Sequence, residues 1–149
     1  MMMKKFVLLY VAMISITSCS NEERNRLPHI YPEHIELSTE NPEGNFQVSP
    51  RDYDMCCFVF NGQEYRITDA IKKEKVTVID VSGGYKATIS CKNAKLNKID
   101  IEFMTIENRG KGHYLVQLTN NIDVKKPDRI GFGFLSSDGI SSAIITFKE

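Results

Sequence analysis

The chain has 149 residues, with 19 basic and 19 acidic side chains and a formal net charge of zero. Without a basic surplus, the composition argues against nucleic acid as a partner, because phosphate binding needs a basic footprint. The length suits one domain with a sizeable core.

The chain opens MMMKKFVLLYVAMISITSC. Lys4 and Lys5 give a positive start, and Phe6 to Ile16 is an uncharged run. That run is too short to span a bilayer comfortably as a mature helix. Its end, Ile16-Thr17-Ser18-Cys19, resembles the bacterial lipobox. The resemblance implies that residues 1–18 are a lipoprotein signal peptide. Cys19 then carries palmitate-type acyl chains and becomes the new N-terminus, anchored at the outer membrane. Each buried CH₂ contributes about 0.8 kcal/mol, and two or more chains anchor stably.

Ser20-Asn21-Glu22-Glu23 follows. Glu22 and Glu23 resemble the sorting signal that sends Bacteroidota lipoproteins to the cell surface. Residues 19–29 read as the lipidated cysteine and a flexible tether, and residues 30–149 as one β-domain. Without residues 1–18 and their two lysines, the balance shifts two charges to the acidic side. No second apolar run is long enough to cross a membrane.

Past the tether the sequence alternates short β-segments with turn signals. Ile30 to Ser38 predicts an opening strand interrupted by Pro32, and Asn41-Pro42-Glu43-Gly44 a turn. Phe46 to Val48 predicts a short edge strand. Met55 to Phe60 is almost wholly apolar, as in a strand covered on both faces. Asn61-Gly62 is a strong hairpin signal leading into Gln63 to Ile67. Thr68 or Asp69 caps one helical turn through Lys73, the only helical hint after the signal.

Val76 to Val81 is rich in β-branched residues, and Gly83-Gly84 turns into Tyr85 to Cys91. There Tyr85, Ala87, Ile89 and Cys91 alternate with Lys86, Thr88 and Ser90, a half-buried strand. Ile99, Ile101 and Phe103 predict another, alternating with acids. Asn108 to Gly112 reads as a loop, Tyr114 to Leu118 as a strand, and Asn120 to Asp128 as a polar connection. Ile130, Phe132 and Phe134 face one way with Gly131 and Gly133 between them. Ala143, Ile145 and Phe147 close the chain. The fold class is all-β: an antiparallel Ig-like sandwich of about eight to nine strands. Longer connections near 68–75 and 119–128 suit crossings between two sheets better than an up-and-down barrel.

Three C-terminal segments resemble the last strands of BACON-type and other Ig-like domains in Bacteroidota lipoproteins. They are Tyr114 to Asn121, Arg129 to Phe134 and Ala143 to Phe147. The resemblance covers about a quarter of the chain. Trp and a closing Gln, common in BACON domains, are absent. It implies a spacer or a glycan- or mucin-associated binding role without catalysis.

With Cys19 lipidated, Cys56, Cys57 and Cys91 remain, so at least one stays free or pairs between chains. Neighbours in a regular strand point to opposite faces, so only one of Cys56 and Cys57 can share a layer with Cys91. A Cys56–Cys91 disulfide is one reading, and buried thiols acting as small apolar residues are the other. Cys-Cys adjacency lacks the ligand spacing of a zinc site.

Other chemistry is weaker. His29 and His34 flank Pro32 and read as solvated, as does His113. Asp52 and Asp54 flank Tyr53, but Ca²⁺ needs six to eight oxygens, and Asp is favoured in turns. Asp80, Asp128 or Asp138 would have to join them. Nineteen acids make carboxylate pairs inevitable, so they do not indicate glycoside hydrolysis. No Gly-x-Ser-x-Gly elbow occurs. Gly83-Gly84 and Gly110-Lys111-Gly112 open no helix and read as turns, not phosphate loops. Tyr31, Tyr53 and Phe46 are the candidate sugar-stacking aromatics. No catalytic, metal or cofactor motif emerges. The expected function is a lipid-anchored, non-enzymatic interaction or accessory module with an outer-membrane protein or glycan partner. A small periplasmic inhibitor of lysozyme-type enzymes and a carbohydrate-binding module are the alternatives.

Overall fold

A computed structural model describes residues 27–50, 53–73, 75–119, 125–136 and 138–148. Residues 1–18, read above as a signal peptide, and Cys19, Glu22, Glu23 and Asp52 lie outside the described residues. In chain order the elements are β1 His29–Tyr31, β2 His34–Leu37, β3 Glu43–Ser49, β4 Met55–Phe60, β5 Gln63–Arg66, α1 Thr68–Lys73, β6 Thr77–Val81, β7 Tyr85–Lys92, β8 Lys95–Asp100, β9 Met104–Gly110, β10 His113–Leu118, β11 Arg129–Ser136 and β12 Gly139–Phe147.

These strands form an all-β sandwich. One sheet has seven strands in the order β1-β3-β10-β9-β8-β7-β6, and the other five in the order β2-β12-β11-β4-β5. Pairing is antiparallel except between β2 and β12, which run parallel. Period-2 patterning dictates this layering: Ile130, Phe132 and Phe134 of β11 are fully buried, as are Ala87 and Ile89 of β7.

The core is knit by aromatic rings contributed from both sheets. Phe46 on β3 stacks on Tyr114 of β10 at 5.1 Å, and Phe134 from the opposite sheet meets both edge-on. Towards the other end, Phe103 contacts the rings of Phe60, Tyr85 and Phe147. Such pairs add about 0.5–1.5 kcal/mol each beyond the area they bury.

Several sequence expectations are realised in detail. Asn61 and Gly62 both have positive φ, 51° and 76°, the backbone of a two-residue hairpin turn. Gly tolerates this without steric cost. The helix spans Thr68–Lys73, with Asp69 in its first turn and Lys72 and Lys73 in its last, charges that complement the helix dipole. Both longer connections cross between sheets: β5 to β6 through α1, and β10 to β11.

Other expectations need correction. Strands number twelve among the described residues, because the long segments read as single strands divide. Ile30 to Ser38 splits at Pro32 into β1 and β2, which join different sheets. Phe46 to Val48 belongs to a seven-residue strand inside its sheet, between β1 and β10, and not at an edge. Ile99, Ile101 and Phe103 do not share one strand. Glu102 adopts φ 57°, and Ile101 N–H donates to Met104 O at 2.9 Å, so the chain reverses between β8 and β9. Asn108 to Gly110 extends β9, which leaves only Lys111 and Gly112 in the turn.

Candidate functional site

On the five-stranded sheet Ile130, Phe132 and Phe134 of β11 face inward, so its outward positions are Arg129, Gly131, Gly133 and Leu135. Two glycines in a central strand leave the outer face nearly bare along that line. The flanking strands supply Val59 from β4 and Ile140 and Ile144 from β12. Val59, Leu135 and Ile140 are exposed, at 37%, 53% and 48%. A solvent-facing side of an antiparallel sheet usually carries polar residues, and these three side chains make this one partly apolar.

At one end this face opens into a groove of about 550 Å³, within the range of small-molecule sites. Val59, Gly131 and Ile144 form its apolar floor, and Asn61, Arg129 and Ser142 supply polar groups. Arg129 is exposed and makes no ion pair among the described residues. The guanidinium offers a planar fork of donors, the Asn61 amide donates to Ser82 O at 3.3 Å, and Asp128 adds a carboxylate at the rim. This set can bind a ligand that has both an apolar surface and hydrogen-bonding groups.

At the other end lies an irregularity that alternation did not predict. The β4–β11 register shifts so that Gly133 pairs with Cys57 and Phe134 with Met55. Cys56 is therefore the extra residue of a β-bulge. Met55 and Phe58 both belong to the main core cluster, whereas Cys56 and the buried Cys57 lie outside it. The expectation that Cys56 and Cys57 point to opposite faces is overturned by this bulge. Their sulfurs lie 3.7 Å apart, and the Cys56 thiol donates to Gly133 O at 3.5 Å. Cys57 is 2% exposed. Burial pushes its thiol up to about 12, with further upward contributions from Cys56 and Glu64.

Cys56 and Cys57 are free thiols. The Cys56–Cys91 disulfide is absent for a topological reason: Cys56 sits outside the core on β4, whereas Cys91 packs against the core from β7 of the other sheet.

The remaining candidates disperse. His29 and His34 are exposed on different sheets, and His34 Nε2 shares a 2.6 Å hydrogen bond with Thr146 Oγ1. His113 is exposed at the start of β10. Among the described residues no three His, Cys, Asp or Glu side chains group to hold a metal ion. Asp54 lies close enough to Tyr114 to act on its phenol, whose pKa is raised chiefly by burial and then by that carboxylate. Of the sugar-stacking aromatics, Phe46 is core and Tyr53 packs against it. Only Tyr31 is open, at 74% exposure.

Sequence reasoning assigned Asn61 to a turn and Arg129 to a strand start, and missed that the topology sets them beside one groove. The available signal was the pair Gly131 and Gly133, which announces a bare outer face. No family model matches the chain, and comparisons with curated proteins and with solved structures give no match.

Proposed function

We propose that this protein is a lipid-anchored outer-membrane lipoprotein displayed on the cell surface, where its β-sandwich serves as a non-enzymatic interaction module. The carrying observation is the order Lys4-Lys5, apolar run, Ile16-Thr17-Ser18-Cys19, then Glu22-Glu23. The first strand begins at His29, so nine residues separate it from Cys19. Fully extended they reach at most about 30 Å, which keeps the domain close to the membrane. The outer face of the five-stranded sheet, with its groove, is the surface offered to an outer-membrane protein or a glycan. The loss of Phe46 and Tyr53 as platforms weakens a carbohydrate-binding role relative to protein contact.

The test is metabolic labelling with an alkyne fatty acid in a bacterium that processes lipoproteins. The wild type incorporates label and fractionates with membranes, and Cys19→Ala does neither. Protease treatment of intact cells degrades the wild type and spares a Glu22→Ala/Glu23→Ala variant. Acylation of Cys19→Ala refutes the anchor, and protection of the wild type refutes surface display.

A further inference from the structure

We infer that Cys56 and Cys57 form a two-thiolate site for a soft, thiophilic metal ion on the outer face of the five-stranded sheet. In a regular strand this pair would be split across the sheet, and adjacency would carry nothing. The bulge opposite Gly133 reverses that, because it brings both sulfurs to the same side at 3.7 Å. Two sulfurs bound at about 2.3 Å to one tetrahedral ion stand about 3.8 Å apart. The pair already has the separation that chelation requires.

Packing supports the same reading. Cys57 is 2% exposed but lies outside the main core cluster, as does the half-buried Cys56. Cys57 is accommodated only because the residue facing it lacks a side chain: a Cβ on Gly133 would sit 2.7 Å from Cys57 Sγ. Cys56 is half-buried, so an ion approaching from solvent meets its sulfur first and Cys57 behind it.

Other groups facing the pair are few. On β5, Arg66 pairs in register with Cys57, and Glu64 lies two residues away, four ångströms from the Arg66 guanidinium. On β11 Gly133 pairs with Cys57, on β12 Ser142 pairs with Gly133, and Ile140 also lies against Gly133. With two protein ligands, the site suits ions that accept thiolates in low coordination or complete their shell with water, of which Cu(I), Zn²⁺ and Cd²⁺ are the class. No electron transfer is involved. A divalent ion and two thiols give the dithiolate complex and two protons. Both protons pass to solvent. Binding therefore strengthens as pH rises. The site does not depend on the anchor reading, and its test leaves that reading untouched.

The probe is Cd²⁺ alone, added under reducing, oxygen-free conditions to the full chain in detergent, in a Cys19→Ala background. The readout is the ultraviolet sulfur-to-cadmium charge-transfer band, with folding checked by circular dichroism. The expected result is one ion per chain, two protons released, and at least a tenfold loss of affinity in Cys56→Ser. Cys91→Ser should bind as the parent does. Because Cys57 is buried, Cys57→Ser is informative only if folded, and the half-buried Cys56 carries the test. Absence of the band in the folded parent overturns the proposal. So does a band that survives Cys56→Ser or that disappears with Cys91→Ser.

Discussion

Replacing Gly133 with alanine should destabilise the protein, whereas the same change at Gly131 should not. Both glycines lie on β11 in extended backbone, so neither substitution meets a φ penalty, and the difference rests on space. At Gly133 the new Cβ would sit 2.7 Å from Cys57 Sγ and 3.2 Å from Ile140 Cγ2. The first contact falls about 0.7 Å short of ordinary van der Waals separation. Ile140 is 48% exposed and can swing aside, but Cys57 is 2% exposed and held by the bulge. Overpacking of this kind costs about 1–3 kcal/mol. At Gly131 the nearest atoms are 3.5 and 3.8 Å away. Alanine there fits, and restricting the unfolded chain stabilises by about 0.4–1 kcal/mol. Urea unfolding of both variants should give midpoints shifted in opposite directions. With a slope of about 2 kcal/mol per molar urea, the two should differ by about 1 M. Cys57→Ala added to Gly133→Ala should recover about 1–2 kcal/mol beyond additivity. Equal midpoints for the two glycine variants, or no coupling in the double mutant, would refute the reasoning.

Phe103→Ala should cost about 3–5 kcal/mol, because it removes a fully buried ring that touches three others. A thermal or urea measurement showing under 1 kcal/mol would contradict the packing. Gly62→Ala should cost about 1–2 kcal/mol through its φ of +76° alone, since open space surrounds the position; circular dichroism in urea will show it. Stability should fall at alkaline pH. Burial raises the pKa of Cys57 from 9.0 to about 12 and raises that of Tyr114 above its usual 10.0. A raised folded pKa gives stability that is complete below the unfolded value and lost as pH rises past it. Each group contributes a slope of up to about 1.4 kcal/mol per pH unit, beginning near pH 9 for Cys57 and near pH 10 for Tyr114. Urea midpoints from pH 7 to 11 check this, and Tyr114→Phe should flatten the upper part.

Where the chain obeys a single period, the sequence is a faithful guide. Ala87 and Ile89 turn inward as alternation requires, the Asn61-Gly62 hairpin forms at its expected place, and both long connections cross between sheets. The misreadings occur where one residue breaks the period. Glu102, with its positive φ, ends a strand that Ile99, Ile101 and Phe103 seemed to continue. Cys56, as the extra residue of a bulge, leaves the inward series of Phe58 and Phe60 and joins Cys57 to create the dithiol. Neither event has a composition signature, because glutamate and cysteine are ordinary strand residues when the backbone is regular. The groove was illegible for another reason. Asn61, Arg129, Ser142 and Ile144 are remote in sequence, and only the order β12-β11-β4 brings them together.

The parallel pairing of β2 with β12 also has a mechanical meaning. Register runs from His34 beside Ile144 to Leu37 beside Phe147, reinforced by hydrogen bonds from Ile144 N–H to Glu33 O and from Lys148 N–H to Leu37 O. A pull on the chain ahead of β2, once β1 has come away from β3, opposed by a hold after β12, slides these strands along each other instead of peeling them apart. Every bond between them then bears load at once. Tension applied between the two ends meets this clasp as a shear joint, the arrangement in which a few short hydrogen bonds resist most.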